Sequence, residues 1–193
     1  MTKKSMTTTR DWGHFRQMWI RVLEKQTGKG PDHSNALIGK KKFADAKRLK
    51  EWLATQGVTG YAEKLLVMER FGYPDFFESS AEELVDAQYE DRQHLRPVYE
   101  AVVAAARAFG EVVIQARKGY VSLLTPKRTF ARIRATTKDR IDLGLRLEGM
   151  RPRGRLKPSR IHETMPLQVG LAGLKDLDRE VLEWLGKAYG QNL

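Results

Sequence analysis

The chain has 193 residues, 41% of them hydrophobic and 9% aromatic, which is enough to build a packed core in one ordinary domain or two small ones. It has no cysteine, which excludes disulfides, thiolate metal sites and thiol nucleophiles. No apolar run approaches the roughly 20 residues of a membrane span, and no apolar segment follows the charged N-terminus, so we expect neither a span nor a secretory signal. These features predict a soluble, cytoplasmic protein.

The net charge of +11 is unevenly distributed along the chain. Residues 115–160 hold 14 Lys and Arg against 3 acidic residues, and residues 1–50 carry a net +9. Residues 51–114 carry −7, so two basic blocks flank an acidic middle. A basic block suits nucleic acid, but it equally suits an acidic partner or a small anion.

The first 72 residues predict a small helical domain. Apolar residues at helical spacing indicate one helix from Asp11 to Thr27, a second from Phe43 to Gly57 and a third after Thr59. Residues 28–42 are rich in Gly and Lys, so we expect mostly loop there, with a short turn near Asn35. The segment 72–77 is the expected linker, which predicts a helical domain at 1–75 and a second domain at 76–193.

The second domain begins with helices and continues with strands. Ser80 and Glu83 form a capping box, and a strong amphipathic pattern predicts a helix from Arg96 to Phe109. After Gly110 the apolar period changes to two, which predicts strands at 112–117, 120–125, 129–135 and 140–147. Their short connections require an antiparallel meander. A fifth strand at 165–171 and a closing helix from Asp178 complete an α+β domain whose antiparallel sheet is flanked by helices.

Alternation along the strands predicts a basic outer face of the sheet. The third strand should direct Phe130, Arg132 and Arg134 outward, and the fourth Arg140, Asp142 and Arg146. Guanidinium groups bind phosphates bidentately, and an aromatic ring on a basic sheet can stack a base. The candidate residues for binding nucleic acid or another anion are Arg117, Lys118, Tyr120, Lys127, Arg128, Phe130, Arg132, Arg134, Arg140 and Arg146.

A structural role explains the same pattern, because antiparallel sheets routinely expose a polar face and Asp142 could pair with Arg132 or Arg134 across strands.

The usual catalytic motifs are missing from the sequence. Lys40 follows Gly39 as in a phosphate loop, but Ser34 stands where that motif needs its first Gly. His162 and Glu163 begin like a zinc-protease helix, but Pro166 occupies the second ligand position. We therefore expect no metal and no cofactor, and favour a protein that is not an enzyme.

Several stretches resemble a family of uncharacterised bacterial proteins, common in actinobacteria, that carry two adjoining domains of unknown function. The resemblance covers the chain from about residue 11, and its blocks are 57–62, 66–75, 88–92, 115–123, 125–131 and 140–146. It implies a helical N-terminal domain and an α+β C-terminal domain, and carries over no catalytic residue. Three of the blocks coincide with the basic strands.

The sequence therefore predicts a non-enzymatic binding module whose basic sheet face engages nucleic acid or another polyanion. Two alternatives remain: a protein–protein adaptor that pairs the acidic and basic regions, and a small-molecule-binding protein or enzyme with a pocket on the sheet. The sequence predicts no membrane partner and leaves the oligomeric state open.

Overall fold

The computed structural model describes residues 9–10, 12–77 and 79–193. The chain divides into two compact units, one formed by Asp11–Ser79 and the other by Ser80–Leu193 together with Thr9 and Arg10. Helices dominate the first unit, and the second combines helices with a sheet, so the predicted α+β class is confirmed. None of the described helices has both the length and the apolar content to cross a membrane.

Four helices form the first unit: α1 (Trp12–Thr27), α2 (Pro31–Lys41), α3 (Ala46–Thr55) and α4 (Tyr61–Phe71). One apolar cluster holds them together, and its fully buried members include Leu23, Leu49, Leu53, Leu65 and Leu66. The segment expected as a linker contributes to this cluster, because Phe77 is buried and its ring packs against those of Trp19 and Tyr73.

Helix α2 corrects our prediction of loop between residues 28 and 42. Pro31 stands at the first helical position, where its fixed φ is compatible with the helix and its missing N–H costs nothing. Ile38 is buried against the core and anchors the helix despite its glycine and lysines. Lys42 ends it in the left-handed conformation, with φ of 47°.

The described residues of the second unit form three α-helices and seven strands. The helices are α5 (Ala81–Tyr89), α6 (Arg96–Ala108) and α7 (Arg179–Gln191), and the predicted capping box at Ser80 and Glu83 is confirmed. The strands are β1 (Thr9–Arg10), β2 (Val113–Ala116), β3 (Val121–Leu124), β4 (Thr129–Thr137), β5 (Arg140–Leu145), β6 (Lys157–Pro158) and β7 (Leu167–Leu171). They form one sheet in the order β1-β2-β3-β4-β5-β7-β6. Strands β2 to β5 are the expected antiparallel meander, and β1 joins β2 in parallel.

One face of the sheet, here called the helix-covered face, is apolar across β2 to β5 and β7. The register aligns Ala116 with Val121, and Val121 with Ile133, Leu143 and Val169. All five side chains are buried. Helix α5 packs on β2 and helix α7 on β4 and β5, which removes this apolar surface from water.

The opposite face, here called the arginine face, carries polar side chains and glycines. One cross-strand row contains Gln115, Ser122, Arg132, Gly144 and Gln168. The connection from β5 to β7 crosses this face at Gly144. A Cβ atom at that position would lie 2.9 Å from Ile161 Cδ1 and 3.2 Å from Met165 Cβ, so the absence of a side chain lets the connection approach the sheet.

We expect Gly144→Ala to destabilise the protein by about 1–3 kcal/mol, because the new methyl group would press against Met165 and lift the connection. Gly119→Ala is the matched control, since a Cβ atom there meets nothing within 4 Å. Urea denaturation measures the free energy of unfolding of both variants. Equal stability of the two would show that the connection does not pack against Gly144.

A buried tyrosine pair lies in the helical layer of this unit. The rings of Tyr89 and Tyr99 have centroids 5.4 Å apart, and the Tyr89 hydroxyl has no hydrogen-bond partner among the described residues. Burial raises the pKa of the Tyr89 phenol far above its ordinary value of 10, and burial also raises the pKa of Tyr99. Both phenols therefore keep their protons in the folded state at a pH where unfolded tyrosines ionise.

This difference predicts that the free energy of unfolding falls as the pH rises above 10. Each tyrosine that ionises only in the unfolded state contributes a slope of about 1.4 kcal/mol per pH unit. Tyr89→Phe should remove the contribution of Tyr89 to that slope and cost little at pH 7, because the lost hydroxyl has no hydrogen-bond partner in the described part of the chain. Urea unfolding at pH 7, 10 and 11 checks this, and an alkaline slope identical to that of the original chain would contradict it.

Candidate nucleic-acid interface

A basic cleft opens on the arginine face beside the turn between β2 and β3. It has a volume of about 620 Å³ and is lined by Lys118, Gly119, Tyr120, Arg132, Arg134, Ile161 and His162. No carboxylate is among these seven residues. The cleft thus brings together four of the ten residues that the sequence nominated: Lys118, Tyr120, Arg132 and Arg134.

Strand alternation and the hairpin register place these four side chains. Arg132 and Arg134 are two residues apart on β4, so both project from the arginine face. The N–H of Arg117 donates to the carbonyl of Tyr120 at 2.9 Å, which closes the hairpin and sets Tyr120 beside β4. The Arg132 guanidinium lies over the Tyr120 ring, 4.8 Å from its centroid, and this cation–π contact orients the charge.

The Arg132 side chain is only partly satisfied by the protein. Its Nε is enclosed and has no hydrogen-bond partner among the described residues. No ion pair within the described part of the chain involves Arg132 or Arg134. Their positive charges are therefore not neutralised by a described carboxylate, which suits an anionic ligand.

The far wall of the cleft comes from the connection before β7 and includes His162, which the sequence had rejected only as a metal ligand. The N–H of Thr164 donates to His162 Nδ1 at 3.2 Å, and Thr164 Oγ1 lies 2.9 Å from the same nitrogen. When the other ring nitrogen, Nε2, carries a proton, it can donate a hydrogen bond to an anion. No sequence signal pointed to this role, because the cleft forms only when Ile161 and Met165 dock at Gly144.

Arg140 is outside the cleft and is engaged by a neighbour on its own strand. Its Nε lies 3.0 Å from Asp142 Oδ1, and its Nη2 donates to Oδ2 at 3.3 Å. Asp142 is buried, with 3% exposure, so the pair compensates a carboxylate that would otherwise be costly to bury. The sequence alternative that paired Asp142 with Arg132 or Arg134 is therefore not the arrangement in the structure.

Three further candidates, Lys127, Arg128 and Arg146, are not among the residues that line the cleft. Lys127 and Arg128 lie in the turn between β3 and β4, whereas the cleft opens beside the turn between β2 and β3. The Arg146 Nε donates to the carbonyl of Thr164 at 3.2 Å and so holds the connection in place. Burial, together with the nearby Arg128 guanidinium, lowers the pKa of Arg146. The remaining candidate, Arg117, is half-buried at the end of β2.

Phe130 was predicted to face outward and stack a base, and this prediction is wrong. The residue is fully buried and its ring packs edge-to-face on Tyr189 of α7, with centroids 5.4 Å apart. The cause is an irregularity in the ladder: Leu123 pairs with Ala131 but Leu124 pairs with Thr129, which leaves Phe130 as the extra residue of a β-bulge. The bulge interrupts the alternation and lets Phe130 join Ala131 on the helix-covered face.

The described residues contain no group of three or more His, Asp and Glu side chains able to hold a metal ion. The candidate site is a cationic, partly aromatic cleft.

Comparison with known families places this cleft in a recognised domain. Residues 85–192 match the model of a domain of unknown function, DUF5655. The chain belongs to this family. The match confirms the resemblance to an uncharacterised family, and it spans β2 to β7, so the whole basic cleft lies inside the DUF5655 domain. No curated protein matches the chain, and no solved structure does.

We expect Phe130→Ala to destabilise the protein by about 3–5 kcal/mol, because it empties a fully buried site against Tyr189. Lys127→Ala, an exposed change three residues earlier, should stay within about 0.5 kcal/mol of the original chain. Urea denaturation compares the two. Unchanged stability of the Phe130→Ala protein would show that the Phe130 ring of the original chain is not buried, and Phe130 would again be a candidate for stacking a base.

Proposed function

We propose that this DUF5655 protein is a binding module that engages nucleic acid by its phosphates at the basic cleft. The observation that carries the proposal is the lining of that cleft, in which Arg132 and Arg134 converge beside Lys118 and none of the described lining residues has a carboxylate. Phosphate contacts supply most of the affinity in nucleic-acid binding, and arginine forks fit phosphate oxygens bidentately.

The distribution of ion pairs favours the cleft over the rest of the arginine face. Arg140 is committed to Asp142, and Arg128 lies 3.4 Å from Glu148. Arg132 is instead oriented by an aromatic ring, which leaves its outer N–H groups available to a ligand. An anion would therefore meet prearranged donors in the cleft and partly neutralised ones elsewhere.

The chemistry favours nucleic acid over an acidic protein. Tyr120 adds an aromatic ring beside the cationic groups, and rings with interleaved arginines are the means by which proteins hold bases as well as phosphates. Carboxylate side chains of an acidic protein would use the arginines but not the ring. Measuring the binding of poly-glutamate therefore distinguishes an acidic protein partner from a nucleic acid.

The test is fluorescence anisotropy with labelled oligonucleotides across a salt series. The double variant Arg132→Gln/Arg134→Gln should lose at least tenfold in affinity at low salt, and its salt slope should fall by about 1.4–1.8 because two phosphate contacts are lost. The matched control is Arg179→Gln/Lys187→Gln on α7, which removes the same charge from exposed positions outside the cleft.

The control protein should bind like the original chain. Equal losses in the two double variants would show that net charge alone drives binding and would contradict a site in the cleft. Tighter binding to poly-glutamate than to an oligonucleotide of equal charge would favour an acidic protein partner instead. Circular dichroism spectra of both variants verify that the fold is retained.

A further inference from the structure

The cleft has a feature that phosphate binding alone does not require: an aromatic ring stacked on one of its arginines. Tyr120 is half-buried, at the end of the β2–β3 hairpin, and Arg132 covers its ring at 4.8 Å. Planar groups arranged in this way offer a surface on which a third planar group can stack. A nucleobase is such a group, and every base has a face that can stack.

The walls of the cleft are fixed by contacts around them. Met165 of the connection is fully buried, Arg146 donates to the carbonyl of Thr164, and the N–H of Thr164 in turn donates to the ring of His162. Ile161 lies against the sheet at Gly144 and adds an apolar side to the cleft. Fixed walls reduce the entropy lost when a ligand enters, so the shape of the cleft can select its ligand.

That shape discriminates between the two forms of nucleic acid. A volume of about 620 Å³ is in the range of pockets for small molecules. A duplex presents its phosphates on a wide convex surface and keeps its base faces stacked inside. A single strand can turn one base out of the strand and place it in a cleft while its backbone follows the neighbouring cations.

We infer that the ligand class is single-stranded nucleic acid, with one base stacked at the Tyr120–Arg132 pair and the adjoining phosphates on Arg134 and Lys118. This inference rests on the proposed function and restricts its ligand from nucleic acid in general to single strands. Ile161 supplies an apolar contact to the inserted base, and His162 Nε2–H is a donor for a base edge or a phosphate oxygen. The stacking contact uses the face of the base, which every base has, so the binding tolerates many sequences.

The experiment compares a single strand, the duplex of the same sequence, and a single strand with abasic positions, each at the same salt concentration. The original chain should bind the intact strand about tenfold more tightly than the duplex or the abasic strand. Tyr120→Leu should lose about tenfold in affinity for the intact strand and clearly less for the abasic one, because it removes base stacking while Arg132 keeps its charge. Tyr120→Phe keeps the ring and should bind like the original chain, which controls for folding.

The outcomes distinguish base stacking, which is the inference made here, from phosphate binding, which is the proposed function. If the duplex or the abasic strand binds as tightly as the intact strand, and Arg132→Gln/Arg134→Gln still weakens binding, base stacking is overturned and phosphate binding stands. If the original chain binds none of the three at low salt, both are overturned. A tenfold preference for the intact strand that Tyr120→Phe keeps and Tyr120→Leu loses supports the inference.

Discussion

The burial of one apolar sheet face under helices is the constraint on which the rest of the second unit depends. Side chains alternate along a strand, so a face that is apolar from Ala116 through Val121, Ile133 and Leu143 to Val169 fixes what the other face can carry. Helices α5 and α7 cover the apolar side. The arginines of β4 and β5 are directed to the opposite side of the sheet.

The connection between β5 and β7 turns this polar face into a site. It crosses the sheet at Gly144, which has no side chain to hold it away, and its own residue Met165 is buried there. Ile161 and His162 then stand opposite the β2–β3 turn and close a cleft around Arg132 and Arg134. The function we propose thus depends on packing at a glycine as much as on the charges themselves.

Local patterns in the sequence were enough for much of this fold, because they reflect local physics. The two-residue period predicted the meander, and Ser80 with Glu83 predicted the start of α5. The position of Phe130 could not be predicted in this way, since a bulge breaks the alternation without a sequence marker. The position of His162 in the cleft could not be predicted from the sequence either, because it depends on the packing of the β5–β7 connection onto the sheet.

The most direct test of the account is to locate bound nucleic acid on the protein. Ultraviolet crosslinking of a single-stranded oligonucleotide, followed by mass spectrometry of the crosslinked peptides, does so without any substitution. The account predicts crosslinks in the peptides that contain Tyr120 and His162, which line the cleft. Crosslinks confined to the basic run Lys40–Lys42 of the helical unit would contradict it and would move the interface away from the sheet.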